Sequence, residues 1–148
     1  MGESGQHLTA NASAPDGRLV GVDDDAEPAI VELVIPAHPR FVRVARMTAS
    51  SIVSSLGGDV EDVEDLRIVV DEIVSALAPG SLDGRVQLRF AVHALEIEVT
   101  ASTASAAAPH IDTLSVDIVS AICSGLEITT EGGRARIRAR KRLSVTPS

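Results

Sequence analysis

The chain has 148 residues, of which 45% are apolar, and a formal net charge of −8 at pH 7. This length suits one domain with its own hydrophobic core. Phe41 and Phe90 are the only aromatic residues, which excludes an aromatic cage or a base-stacking platform. The single cysteine, Cys123, excludes an internal disulfide, and its apolar surroundings predict a small core residue.

The charge is distributed unevenly along the chain. Residues 1–80 carry 14 acidic and 5 basic side chains, whereas residues 81–148 carry 7 acidic and 8 basic ones. Because Lys and Arg contacts to phosphates supply most nucleic-acid affinity, the acidic half disfavours direct nucleic-acid binding and leaves room for a basic protein partner. No apolar run approaches the ~18 residues of a membrane span, and the first ten residues do not resemble a signal peptide. We therefore expect a cytoplasmic protein without a membrane partner.

Composition divides the chain into three parts. Residues 1–28 mix Gly, Ser, Asp and Pro without apolar periodicity, which predicts a flexible acidic N-terminal tail. Residues 29–143 show periodic apolar patterns and are predicted to form the domain. Residues 144–148 are predicted to be a C-terminal tail.

The first half of the domain predicts one strand and two helices. AIVELVIP at 29–36 suits a strand with Glu32 facing outward. A first helix begins near Pro39 and ends at Gly57-Gly58, with an apolar stripe of Phe41, Ala45, Thr48, Ile52 and Leu56, widened by Val44 and Met47. Asp59 is expected to cap the second helix, with Asp62 in its first turn and a stripe of Val63, Leu66, Val70, Ile73 and Leu77.

The second half changes to strand periodicity. Apolar residues alternate with Arg and Gln over 85–92 and with Glu and Thr over 95–101, which predicts a hairpin with Arg–Glu pairs on its outer face. The low-complexity segment 101–109 is expected to be a loop. Asp112 or Thr113 then caps a third helix with a stripe of Leu114, Ile118 and Ile122.

Two further strands, 126–130 and 134–143, are joined by the turn signal Glu131-Gly132-Gly133. The order is therefore β-α-α-β-β-α-β-β. It predicts an α+β two-layer sandwich, with helices on one face of a mixed, mostly antiparallel sheet.

Two segments of this order resemble a known family. VEDLRIVVDEIVSALA (63–78) resembles the first ATP-site helix of the histidine-kinase-like (GHKL) ATPases, and more narrowly of the anti-sigma factors that are serine protein kinases. Within that family's pattern D-L-x-x-A-V-x-E-x-x-x-N-A, the residues that match are Asp65, Leu66, Val70 and Glu72. VARMTASSIV (44–53) resembles the family's first helix, and Arg46 falls on the position of its Arg. The resemblance covers about 29–143 and implies the histidine-kinase-like ATPase fold.

The nucleotide site departs from the family pattern in three places. The family's Mg²⁺-holding Asn is replaced by Ala76, whose methyl group cannot ligate a hard cation. No Asp occurs between Asp83 and Asp112 to read adenine, and no Gly occurs between Gly84 and Gly125 to form the phosphate lid. We therefore expect a degenerate ATP site, no cofactor and no enzyme activity, with Glu72 left as a vestigial general base.

The resemblance implies a degenerate anti-sigma factor. Such a protein sequesters an alternative sigma factor of the stress or developmental type, is released by an anti-anti-sigma antagonist, and commonly forms a homodimer. The family's first helix and its Arg contact both partners, so the resemblance makes Arg46 a partner-binding residue, and we extend this role to Arg43. A guanidinium suits the role because it can pair with a carboxylate through two parallel hydrogen bonds.

Three alternatives stay open. The chain could be an active serine protein kinase that acts on the antagonist, or a scaffold half that pairs with an intact homologue. It could also be a nucleic-acid-binding module, because RARIRARKR (134–142) places five arginines on one strand face; a solvated outer face is the plainer interpretation. The four histidines, His7, His38, His93 and His110, lack metal-ligand spacing, so no metal site is predicted.

Overall fold

The structure, a computed structural model, describes residues 27–144. The other residues of the two predicted tails, 1–26 and 145–148, lie outside the described part. The elements follow one another as β1 (Ala29–Pro36), α1 (Val42–Ser55), α2 (Val60–Leu77), β2 (Arg85–His93), β3 (Glu96–Ala104), α3 (Thr113–Ile122), β4 (Ser124–Glu131) and β5 (Arg134–Arg142). This is the chain order that the sequence predicts. None of these helices is long and apolar enough to cross a membrane.

The five strands form one open sheet in the order β1-β2-β3-β5-β4. All four pairings among the described strands are antiparallel, so the sheet contains no parallel pair where a mixed sheet was expected. The predicted α+β class is confirmed.

One face of the sheet is buried against the helices. Strand alternation sends Leu88, Val99 and Ile137 to this face, and each is at most 1% exposed. Phe90, the largest fully buried side chain, lies on the same face of β2. Burying a side chain of this size stabilises the fold by about 1.5–3 kcal/mol. The opposite face carries the charged residues of β2 and β3 and the arginines of β5.

The buried stripe of α1 differs from the predicted one. Its buried residues are Val42, Ala45, Ala49 and Val53. Val44 and Met47, which were expected to widen the stripe, are 40% and 62% exposed. Ile52 and Leu56 of the predicted stripe are partly buried and pack against the core, whereas Val44 and Met47 lie on the two flanks of the helix.

Two predictions in the second half were wrong in detail. The predicted loop 101–109 begins as strand, because β3 continues to Ala104 with Thr103 1% exposed. The Thr103 hydroxyl donates to the Arg85 carbonyl at 2.7 Å, which satisfies its polar group inside the fold. On α3, Asp112 is the cap as expected, but Leu114 is 67% exposed and Val119 is the buried residue.

Candidate functional site

A polar cleft lies between α1 and α2 at the position of the predicted partner-binding residues. It has a volume of about 480 Å³ and is lined by Arg43, Arg46, Met47, Ser50 and Arg67. The structure therefore brings Arg43 and Arg46 together, and it adds Arg67 from α2, which the sequence did not indicate. The acidic half of the chain, residues 1–80, has five basic residues. Four of them lie on α1, on α2 or just before α1: Arg40, Arg43, Arg46 and Arg67.

The guanidinium groups of the cleft differ in their partners. Arg46 Nη1 donates to Asp71 Oδ1 at 3.0 Å, and both side chains are about one third to one half exposed. Arg67 pairs with Glu64 at 3.1 Å, one turn earlier on its own helix. Within residues 27–144, Arg43 has no carboxylate within salt-bridge distance. Counting partners among residues 27–144 alone, Arg43 is thus the cation of the cleft that a partner can reach without breaking an ion pair.

A second cleft lies at the C-terminal end of α2, where the resemblance places the nucleotide. Its volume is about 520 Å³, and its lining includes Ser75, Ala76, Leu82 and the segment 105–110. Glu72 lies one turn before Ala76 and therefore on the same side of α2. The described lining contains no Asp, Glu, Asn, Lys or Arg side chain.

This lining does not fit a magnesium-bound triphosphate. Mg²⁺ needs several oxygen ligands, and the only side-chain oxygens among the described lining residues are the hydroxyls of Ser75, Thr103 and Ser105, of which the last two are engaged in hydrogen bonds. Thr103 bonds the Arg85 carbonyl, and the Ser105 hydroxyl donates to the Ala107 carbonyl at 2.8 Å. The lining residues also supply no Lys or Arg side chain to balance phosphate charge.

The N-terminal end of α2 holds a buried ionic cluster that the sequence analysis missed. Lys141 Nζ lies 3.2 Å from Asp65 Oδ2 and 3.6 Å from Asp62 Oδ1. Asp62 is 1% exposed, forms the capping box with Asp59, and accepts the Ser144 amide. Asp65, one of the motif residues, therefore has a structural contact here. The alternation of β5 places Lys141 on the inner face, but it does not specify the carboxylates of α2 as its partners.

Cys123 lies beside this cluster. It is partly buried and packs against the core, in agreement with the predicted core role. Burial raises the pKa of its thiol to about 11, and Lys141 opposes this shift. Such a thiol is poorly nucleophilic at neutral pH.

The arginines of β5 lie on the outer sheet face, as the alternation predicts, and several have acidic partners. Arg138 pairs with Glu127 on β4 and lies 3.8 Å from Glu98 on β3. The hydrogen bond that Arg138 donates to Glu127 lowers the pKa of that carboxyl group. Arg140 lies 3.9 Å from Glu98. These carboxylates reduce the positive charge that the strand could offer to a nucleic acid.

The outer-face Arg–Glu pairs involve strands other than those expected. Arg89 of β2 pairs at 3.9 Å with Glu32 of β1, and not with β3. The histidines stay apart: no group of three or more metal-ligating side chains occurs within the described residues, and His7 lies outside them.

Comparison with known proteins identifies relatives for about half of the chain. The serine-protein kinase RsbW of Bacillus velezensis is 34% identical over 73 residues, which are 47% of this chain and 46% of that protein. RsbW of Bacillus subtilis is 32% identical over 73 residues, with the same coverage. The chain resembles the RsbW serine-protein kinases. It spans about half the length of the curated relatives it matches, and no family model matches it.

The fold has a solved counterpart. The crystal structure of the RsbU and RsbW domains of a Mycobacterium tuberculosis protein superposes with a TM-score of 0.65 at 15% identity, over 80% of this chain and 33% of that one. The resemblance drawn from segments 44–53 and 63–78, and the fold it implies, are confirmed.

The expectation that the chain is not an enzyme was wrong on this comparison. The RsbW relatives are named serine-protein kinases, so the proteins to which this chain is similar are enzymes. The missing motif Asn and glycines therefore do not by themselves exclude an enzyme.

Proposed function

We propose that this chain binds an alternative sigma factor and keeps it from RNA polymerase, and that an anti-anti-sigma antagonist releases it by competing for an overlapping surface. The protein would act in the cytoplasm as a homodimer. The observation that carries the proposal is the arginine-lined cleft between α1 and α2, in a chain that resembles RsbW. Arg46 and Arg43 are the residues to which we assign partner binding.

The geometry of Arg46 supports this role. Its guanidinium is held by Asp71 at 3.0 Å, so its orientation is already defined before a partner arrives. Preorganisation lowers the entropy cost of binding. An Arg that becomes buried at the centre of an interface commonly costs about 2 kcal/mol or more when truncated, whereas a rim charge costs little.

The test begins with co-purification of the protein from its native cell and identification of its partners by mass spectrometry. We expect Arg46→Ala to melt within a few degrees of the parent and to bind the sigma factor at least tenfold more weakly, mainly through faster dissociation. The antagonist should lose affinity for the same variant. Arg89→Ala, an exposed Arg on the outer sheet face, is the matched control and should bind normally. Normal binding by a folded Arg46→Ala variant would place the interface elsewhere.

A second candidate function is serine-protein kinase activity, which the names of the relatives favour. The described residues that line the cleft at the end of α2 nevertheless include no Asp, Glu, Lys or Arg. We propose that the cleft binds Mg·ATP with a dissociation constant above about 100 μM, which is a binding free energy weaker than about −5.5 kcal/mol. Calorimetry with Mg·ATP measures this directly, and tighter binding contradicts it. Transfer of the γ-phosphate to a co-purified partner, lost in Glu72→Gln, would establish the kinase function.

A further inference from the structure

The outer face of the sheet, opposite the helix layer, has charges that are arranged in rows. Residues that are paired in neighbouring antiparallel strands lie side by side on one face, so the register defines each row. The two rows nearest the turn between β4 and β5 contain three arginines and one carboxylate: Arg85, Arg134, Arg136 and Glu131. The next two rows contain three arginines and three carboxylates: Arg89, Arg138, Arg140, Glu32, Glu98 and Glu127.

The three arginines nearest the turn, which we call the basic half of the outer face, differ from the others in their partners. Each arginine of the balanced rows has a carboxylate partner. Among residues 27–144, no carboxylate lies within 4.0 Å of a guanidinium nitrogen of Arg85, Arg134 or Arg136. A protein with a formal net charge of −8 therefore has a positive patch on this face.

The guanidinium of Arg134 is held in place by neutral groups. Its Nη2 donates to Gln87 Oε1 at 3.0 Å and to Ser102 Oγ at 3.1 Å. Neither acceptor carries a charge, so the guanidinium is oriented while its positive charge stays uncompensated. An anion that binds beside Arg134 meets a cation whose position is already defined, which lowers the entropy cost of binding.

An acidic segment of the same chain can reach this patch. The acidic run Asp23-Asp24-Asp25 lies outside the described residues and comes shortly before β1, which begins at Ala29. The contacts of Arg134 place its guanidinium at most two strands from β1 and five residues along the strands from the level of Ala29.

The chain between the acidic run and β1 is long enough for this contact. With about 4.8 Å between strands and about 3.4 Å per residue, the separation between Ala29 and the Arg134 guanidinium is about 20 Å. The six residues from Asp23 to Ala29 span up to about 20 Å when they are extended. The long side chain of Arg134 therefore lies within reach of the carboxylates.

We propose that Asp23-Asp24-Asp25 crosses the outer face of the sheet and pairs with the basic half of the same molecule. Guanidinium–carboxylate pairs form charge-assisted hydrogen bonds, and the short connection keeps the acidic run at a high effective concentration beside its partners. An acidic peptide suits this patch better than a nucleic acid, because three arginines on a negatively charged protein can neutralise only a few phosphates. The patch lies across the sheet from the arginine-lined cleft, so the inference goes beyond the proposed function.

A spin label measures the contact in the full chain. Gly21→Cys in a Cys123→Ser background gives one attachment point for a nitroxide next to the acidic run and leaves its three carboxylates unchanged. We expect the label to broaden the amide resonance of Ser102, which lies between the strands of the basic half. This broadening should be lost when Asp23, Asp24 and Asp25 are all replaced by Asn. It should also be lost at about 1 M salt, where the screening length falls to about 3 Å.

Substitutions in the two arginine groups locate the contact. Arg134→Gln with Arg136→Gln removes two cations from the basic half, and we expect it to abolish the broadening at Ser102. Arg43→Gln with Arg67→Gln removes two cations from the cleft between α1 and α2, changes the net charge equally and should leave the broadening unchanged. If the first pair of substitutions prevents folding, the Asp→Asn variant, altered only outside the described domain, still decides the question.

Four results would overturn the inference. The first is broadening at Ser102 that survives the Asp→Asn substitutions, and the second is broadening that is lost in the Arg43→Gln/Arg67→Gln control alone. The third is broadening that occurs only when the spin label and the observed amide are on different copies of the chain. The fourth is binding of an oligonucleotide of about 20 nucleotides by the parent, with a dissociation constant below about 10 μM at about 0.15 M salt, that Arg134→Gln/Arg136→Gln abolishes.

Discussion

The two ends of α2 are built in opposite ways. Its N-terminal end carries Asp62 and Asp65, whose carboxylates both contact Lys141, and the Asp62 carboxylate also accepts two backbone amides inside the fold. Its C-terminal end carries Ser75 and Ala76, which line an open cleft without charged side chains. One end is closed and ionic, and the other is open and mostly apolar.

This difference shows that one sequence motif can contain residues that stabilise the fold and residues that serve the ligand. Asp65 and Leu66 match the family pattern, and both have contacts that hold the fold together. At the position of Ala76 the family has an Asn that holds Mg²⁺. The methyl group of Ala76 makes no polar contact. A match to the motif is therefore informative about the fold even where it says less about the ligand.

The largest expected loss of stability follows a substitution at the N-terminal end of α2. Lys141→Ala leaves Asp65 and the 1%-exposed Asp62 without their cation, and removal of one partner of a buried ion pair costs about 3–5 kcal/mol. We expect the free energy of unfolding, measured with urea, to fall by about 3 kcal/mol. Arg142→Ala, at the exposed next position, should change it by less than about 0.5 kcal/mol. Equal effects of the two substitutions would contradict a stabilising cluster.

A smaller effect is expected at Cys123, which lies beside the same cluster. With its pKa at about 11, only about one thiol in a thousand is ionised at pH 8, against roughly one in ten for an ordinary thiol. Alkylation by iodoacetamide should therefore be about 100-fold slower in the native protein than in urea. The rate in native protein should rise with pH up to about 11. Equal rates in both states would show that the region is open to solvent.

The smallest loss of stability is expected for a substitution at the C-terminal end of α2. Ala76→Asn places an amide at the wall of a cleft of about 520 Å³, which offers room for the larger side chain. Its cost is then the lower helix propensity of Asn, about 0.5 kcal/mol. Thermal melting measures this, with Ala49→Asn on the buried face of α1 as the contrasting variant that should lose far more. A loss of about 2 kcal/mol or more at Ala76 would show that the C-terminal end is packed as tightly as the other.

Much of the fold follows from local signals in the sequence. Asp59 was predicted as a cap, and Asp112 was one of two candidates together with Thr113. Each of the two aspartates accepts the backbone amide three residues later. The stripe of α2 and the alternation of β2, β3 and β5 also follow from periodicity. These signals depend on residues that are close in the chain, which is why a single sequence contains them.

The missed features depend on residues that are distant in the chain. Lys141 is buried because Asp62 and Asp65 reach it from another layer, and no pattern in β5 alone specifies that pairing. Val44 and Met47 extend the apolar stripe of α1, and only the position of α2 decides that they lie outside the contact. Similarly, Thr103 can be buried in β3 because its hydroxyl donates to the carbonyl of Arg85, which lies 18 residues earlier in the chain.

The candidate site was predictable in part. Arg46 and Arg43 were selected through the resemblance, and the structure places them in one cleft. Arg67 was not selected because it lies on a different helix, 21 residues further along the chain, and only helix packing brings it near. The role of the second cleft could not be read from missing motif residues alone, since the relatives are kinases.

The contact between Ser144 and Asp62 has a consequence for biosynthesis. The two residues are 82 positions apart, so the ribosome adds Ser144 about 4–16 s after Asp62 at common elongation rates. During that interval the start of α2 carries two carboxylates without Lys141 and a cap without its second amide donor. Stable docking of α2 must therefore await the last strand, and a chain interrupted before β5 should be captured by chaperones or proteases.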